Sequence, residues 1–113
     1  MTARLAVLKG TLDVLVLKAL AWGPMHGFEV AAWLEERSDG VLALDDSGLY
    51  QALYRLEGRR LVSAEWGVTE NNRRARYYRV TKAGRAHLAS ETVTWLRYAE
   101  TVTGILSQPS AAS

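Results

Sequence analysis

The sequence predicts an α+β fold that is mostly helical: three short helices, a two-stranded β-hairpin and a long terminal helix. Three observations carry that prediction. Apolar residues recur at helical spacing in three early segments. Between Leu61 and Val80 the pattern changes to two runs rich in β-branched and aromatic residues around an Asn-rich turn. After Thr81 a helical period resumes and persists to Leu106. At 113 residues the chain has the size of one domain.

Leu12, Leu15, Val16, Ala19 and Leu20 fall on one stripe of a first helix, with Thr11 as its N-cap. Trp22-Gly23-Pro24 stops it, because Gly suits a C-cap and Pro cannot continue the turn. A second helix is expected over 27–37, with Phe28, Ala31 and Leu34 inward, ended by Ser38-Asp39-Gly40. Val41-Leu42-Ala43-Leu44 is too short for a helix and reads as extended. Asp45-Asp46-Ser47 supplies capping groups and negative charge for a third helix over 48–59. Its buried stripe is Leu49, Ala52, Leu53 and Leu56, which leaves Ser47, Gln51, Tyr54 and Arg55 facing outward and Tyr50 beside the stripe. Residues 61–69 and 76–80 read as the strands of a hairpin, joined by a turn in which Asn tolerates left-handed backbone. Thr81 caps the last helix, over 82–106. There Leu88, Thr92, Trp95, Ala99, Val102 and Leu106, with Leu96 beside them, form a seam suited to a second helix.

Composition removes several classes of function. With 49% hydrophobic and 23% charged residues, the chain is neither disordered nor membrane-spanning. Residues 1–9 show no hydrophobic signal region, so a cytoplasmic location without membrane contact is expected. The absence of cysteine excludes disulfides, a thiolate nucleophile and a Cys-ligated zinc site. His26 and His87 lack partners at metal-ligand spacing and read as structural, so neither metal nor cofactor is expected. Asp45 and Asp46 are explained by helix capping, and no nucleophile–base constellation is present, which argues against an enzyme.

The net charge of +2 hides an uneven distribution. From Ser47 to Arg85 there are nine basic residues against three acids, and between Asn71 and Arg85 six basic residues and no acid. Eleven of the fourteen basic residues are Arg, whose planar fork suits phosphates and guanine edges. Three helices followed by a hairpin with a basic tip is the order of a winged helix-turn-helix. In that arrangement the third helix enters the major groove of double-stranded DNA, and the hairpin reaches adjacent phosphates or the minor groove. The expected contacts are Ser47, Tyr50, Gln51, Tyr54 and Arg55 on the helix, and Asn72, Arg73, Arg74 and Arg76 on the wing, whose tip also exposes Asn71. A winged-helix module that binds protein instead of nucleic acid is the alternative.

Four blocks in register then carry a resemblance. Leu8-Lys9-Gly10-Thr11-Leu12-Asp13, Gly23-Pro24-Met25-His26-Gly27-Phe28, Gly48-Leu49-Tyr50-Gln51-Ala52-Leu53 with Arg55-Leu56-Glu57, and Asn71-Asn72-Arg73-Arg74-Ala75-Arg76-Tyr77-Tyr78 resemble the PadR family of bacterial transcriptional regulators. The likeness runs from about Leu8 to Gly84 and is closest to the compact subgroup with a single C-terminal helix. It departs at Phe28, where the family often has Tyr, and at Gln51, where Pro is frequent. The resemblance implies a homodimeric repressor whose last helix supplies much of the dimer contact. It implies residues 1–81 as the DNA-binding domain and 82–107 as the dimerisation helix, while 108–113, small and polar, are expected to form a disordered tail. It also makes Trp95 the candidate contact for a small aromatic effector, because some drug-responsive relatives hold flat aromatic compounds between tryptophans of two subunits.

Overall fold

The computed structural model describes residues 4–111. Its elements run β1 (Leu5–Ala6), α1 (Leu12–Leu20), β2 (Met25–His26), α2 (Gly27–Arg37), β3 (Leu42–Ala43), α3 (Asp46–Gly58), β4 (Val62–Val68), β5 (Arg74–Val80) and α4 (Lys82–Leu106). The hairpin β4–β5 is antiparallel, and β2 adds to the free edge of β5 through Met25 opposite Tyr78 and His26 opposite Tyr77. A separate two-residue parallel pairing joins β1 to β3. No described helix is long and apolar enough to cross a membrane.

The core lies where α1, α2 and α3 meet the root of the hairpin. Val16, Leu17 and Leu20 of α1, Val30 and Leu34 of α2, and Leu49, Ala52, Leu53 and Leu56 of α3 close on Leu61, Val62, Tyr78 and Val80. Each fully buried leucine contributes about 1.5–3 kcal/mol of transfer free energy. The expected α3 stripe is buried in full. Three of the long elements begin on side-chain caps. His26 Nδ1 accepts the Glu29 N–H while Glu29 Oε1 accepts the His26 N–H, a reciprocal pair at 3.3 and 3.1 Å. Asp45 Oδ2 accepts the Gly48 N–H at 3.1 Å, and Thr81 Oγ1 accepts the Gly84 N–H at 3.0 Å.

Several expectations require correction. Thr11 stands at the N-cap of α1, but its hydroxyl donates backward to the Leu8 carbonyl and caps nothing. The helix α3 begins two residues earlier than expected, because Asp45 takes the cap and Ser47 becomes part of the first turn. The strand β5 also begins two residues early, which moves Arg74 out of the turn and into the ladder opposite Val68.

Phe28 is not inward. It is 77% exposed, and α2 buries Gly27, Val30 and Leu34 instead. The cause lies across the helix pair. A Cβ on Gly27 would stand 2.6 Å from the Tyr50 ring, so α2 meets α3 through its glycine, and Phe28 is turned about 100° away. Ser107 caps the end of α4 and residues 108–111 have no regular structure; the last two residues of the expected tail lie outside the described residues.

Candidate nucleic-acid interface

The outward side of α3 follows from the burial of its other side. With Leu49, Ala52, Leu53 and Leu56 in the core, Ser47, Tyr50, Gln51, Tyr54 and Arg55 line one open depression. Tyr54 is 76% exposed, and Tyr50 is half-exposed with its ring over Gly27 at the start of α2. Gln51 Nε2 donates to Ser47 Oγ at 3.4 Å, one turn back. Arg55 is held from below: its Nη2 donates to Asp13 Oδ1 of α1 at 2.7 Å. The sequence reading gave no sign of this ion pair, since its partners are 42 residues apart.

The wing turns through residues 69–73. The Asn72 N–H donates to the Thr69 carbonyl and the Thr69 N–H to the Arg73 carbonyl, with Asn72 left-handed at φ 60°. A side chain that tolerates that region is therefore required at Asn72. Arg73 follows in the turn and is exposed.

Alternation along β5 sends Arg74, Arg76, Tyr78 and Val80 to one face of the hairpin, together with Val62, Ala64, Trp66 and Val68 of β4. Since Val62, Tyr78 and Val80 are buried in the core, this is the face turned towards the helices. Arg76 Nη2 donates to Glu57 Oε2 of α3 at 2.7 Å and lies 5.7 Å from the Tyr78 ring centroid. The Glu57 hydrogen bond raises the guanidinium above its ordinary pKa, and burial raises the Tyr78 phenol above its own. The Glu57–Arg76 pair ties the wing to the C-terminal half of α3. One step nearer the tip, the Arg74 guanidinium lies 4.8 Å from the Trp66 ring centroid.

Thus the structure brings together the five α3 residues in one depression and turns the face bearing Arg74 and Arg76 towards that helix. Sequence reasoning missed Asp13, Glu57 and Trp66. Trp66 was legible as a strand residue, but the strands read from the sequence, 61–69 and 76–80, do not set it opposite Arg76; the observed register does.

The long helix α4 leaves the core after Leu88, which packs against its own chain. Thr92 Oγ1 donates to the Leu88 carbonyl at 2.7 Å. Trp95 is 40% exposed and, with Leu88, Leu96 and residues of β1 and α1, lines an open apolar trough of ≈ 480 Å³. Val93, Leu96, Tyr98, Ile105 and Leu106 are exposed, whereas Ala99 and Val102 are half-buried. Among the described residues, no group of three or more His, Cys, Asp or Glu side chains could hold a metal ion.

Comparison with known proteins agrees with this geometry. A transcriptional regulator from Clostridium thermocellum superimposes with a TM-score of 0.77 at 24% identity, over 88% of this chain and 93% of that one. A PadR family transcriptional regulator from Eggerthella lenta superimposes with a TM-score of 0.72 at 28% identity, over 89% of this chain and 86% of that one. A 37.1 kDa transposon protein of Streptomyces fradiae is 39% identical over 85 residues, which are 75% of this chain and 23% of that protein. This chain therefore spans about a quarter of that relative's length. The model of the PadR-like transcriptional regulator family matches residues 16–90, from the first helix through the wing into the last helix. A winged helix-turn-helix with a basic wing and an outward-facing third helix thus has its relatives among regulators rather than enzymes, and the chain belongs to the PadR-like family of transcriptional regulators.

Proposed function

We propose that the chain acts as a homodimeric repressor that occupies a pseudo-palindromic DNA operator in the cytoplasm and releases it when a small aromatic effector binds. Two copies of α3 enter successive major grooves, and the wings clamp the flanks. On α3, Ser47, Tyr50, Gln51, Tyr54 and Arg55 provide the contacts. On the wing they come from Asn72, Arg73, Arg74 and Arg76. The observation that carries the reading is the hairpin face bearing Arg74 and Arg76, turned to α3 and tied to it through Glu57.

Dimerisation is supported by α4, whose Val93, Leu96, Tyr98, Ile105 and Leu106 are exposed in the single chain. Two protomers pair through the seam of Leu88, Thr92, Trp95, Leu96, Ala99, Val102 and Leu106. Trp95, at the wall of the apolar trough, is the effector contact. An effector seated there shifts dimers between spacings of the two reading heads that fit DNA and spacings that do not.

The test is binding of the chain to duplexes that tile the DNA upstream of its own gene, measured against salt. The wild-type chain selects one duplex, and Arg73→Ala/Arg74→Ala lowers the slope of log affinity against log salt by about 2, close to one unit for each cation that no longer neutralises DNA charge. An unchanged slope and affinity in that variant would remove the wing from the interface. No binding to any duplex would favour a protein-interaction module.

A further inference from the structure

Trp66 and Arg74 form a stacked pair near the end of the wing, on the face turned towards the helices. Trp66 stands directly opposite Arg76 in the ladder, and Arg74 lies diagonally from it, two residues nearer the tip. The guanidinium is 4.8 Å from the indole centroid, yet Trp66 remains 61% exposed. An indole so exposed is no part of the buried core. The other arginines of the hairpin are placed differently. Arg76 is ion-paired with Glu57 at 2.7 Å, Arg79 is on the opposite face of β5, and Arg73 is in the turn. Among the described residues, Arg74 is the guanidinium on this face that makes no ion pair.

We propose that Trp66 is a positioning residue that presents Arg74 to the minor groove beside each half-site, so that this protein prefers A·T pairs there. This rests on the DNA-binding reading above and adds a specificity determinant to it. An unrestrained arginine loses much rotamer freedom when it docks, and stacking on the indole removes part of that cost before DNA arrives. The stacked group is planar and weakly hydrated, which suits a narrow slot. The minor groove is narrowest, and its potential most negative, along A·T-rich tracts. Lysine, a strongly hydrated point charge, does not reproduce the stack.

The experiment uses the full chain and the upstream duplex it binds best, with the A·T pairs flanking the protected half-sites replaced by G·C or by inosine·C. Inosine lacks the 2-amino group of guanine, so it restores an A·T-like minor groove while keeping the altered major-groove edge. The wild-type chain is expected to lose about tenfold in affinity on G·C flanks and to recover on inosine·C flanks. Trp66→Leu, Arg74→Ala and Arg74→Lys bind the original duplex several-fold more weakly and respond little to the swap. Arg73→Ala weakens all duplexes alike and keeps the preference, and Trp66→Phe, which retains an aromatic face, keeps part of it. A Trp66→Leu variant with the full A·T preference would overturn the inference while leaving DNA binding intact. Failure of the wild-type chain to bind any duplex would overturn both.

Discussion

The arginines of the proposed interface are not equivalent at the scale of single residues. Arg55 and Arg76 are each held by a carboxylate at 2.7 Å, whereas Arg73 makes no ion pair among the described residues and Arg74 rests on an indole. A paired guanidinium must share or exchange its partner before it meets a phosphate. Asp13 therefore restrains Arg55 and also places a negative charge behind the proposed DNA surface. Asp13→Asn should tighten duplex binding several-fold at low salt, an effect that fades as salt rises. Its thermal stability should change little, because a pair this exposed is worth about 0.2–1 kcal/mol. Weaker binding in that variant would show that Asp13 acts mainly by orienting Arg55. The outward side of α3 was legible in the sequence because the helical period fixes it once the buried stripe is known. The ion pairs were not, since nothing local links Asp13 to Arg55 or Glu57 to Arg76.

The elements themselves were legible where their period is long and hidden where it is short. Three helices, the hairpin and α4 each repeat their pattern often enough to be read. Of the two-residue strands only β3 was legible, inside the extended run 41–44; β1 and β2 repeat nothing, and all three pairings are decided by neighbours distant in sequence. Phe28 shows how tertiary packing overrides hydrophobicity: Gly27 makes the close contact with Tyr50 and the aromatic ring is left in water. A similar close approach sets the start of α4. A Cβ on Gly84 would stand 2.0 Å from the Leu61 carbonyl oxygen, at the junction where Thr81 also donates to the Arg60 carbonyl. Gly84→Ala should therefore force α4 away from the root of the wing and destabilise the fold by about 1–3 kcal/mol. Chemical denaturation of the variant measures this directly. A change below about 0.5 kcal/mol, the usual effect of a surface substitution, would mean that the junction yields freely.

At the scale of the whole molecule, the chain carries the proposed DNA surface of α3 and the wing, and a 25-residue helix with exposed apolar side chains beyond Leu88. The two features explain each other if a two-fold axis runs along the α4 seam, because a second copy covers that helix and duplicates the arginine-bearing wing. The most direct measurement is hydroxyl-radical footprinting of the wild-type chain on its own upstream DNA. Two protected half-sites of related sequence, about one helical turn apart and flanked by protected minor grooves, are the predicted result. A single unsymmetrical patch, or protection confined to one groove with no second half-site, would contradict the account.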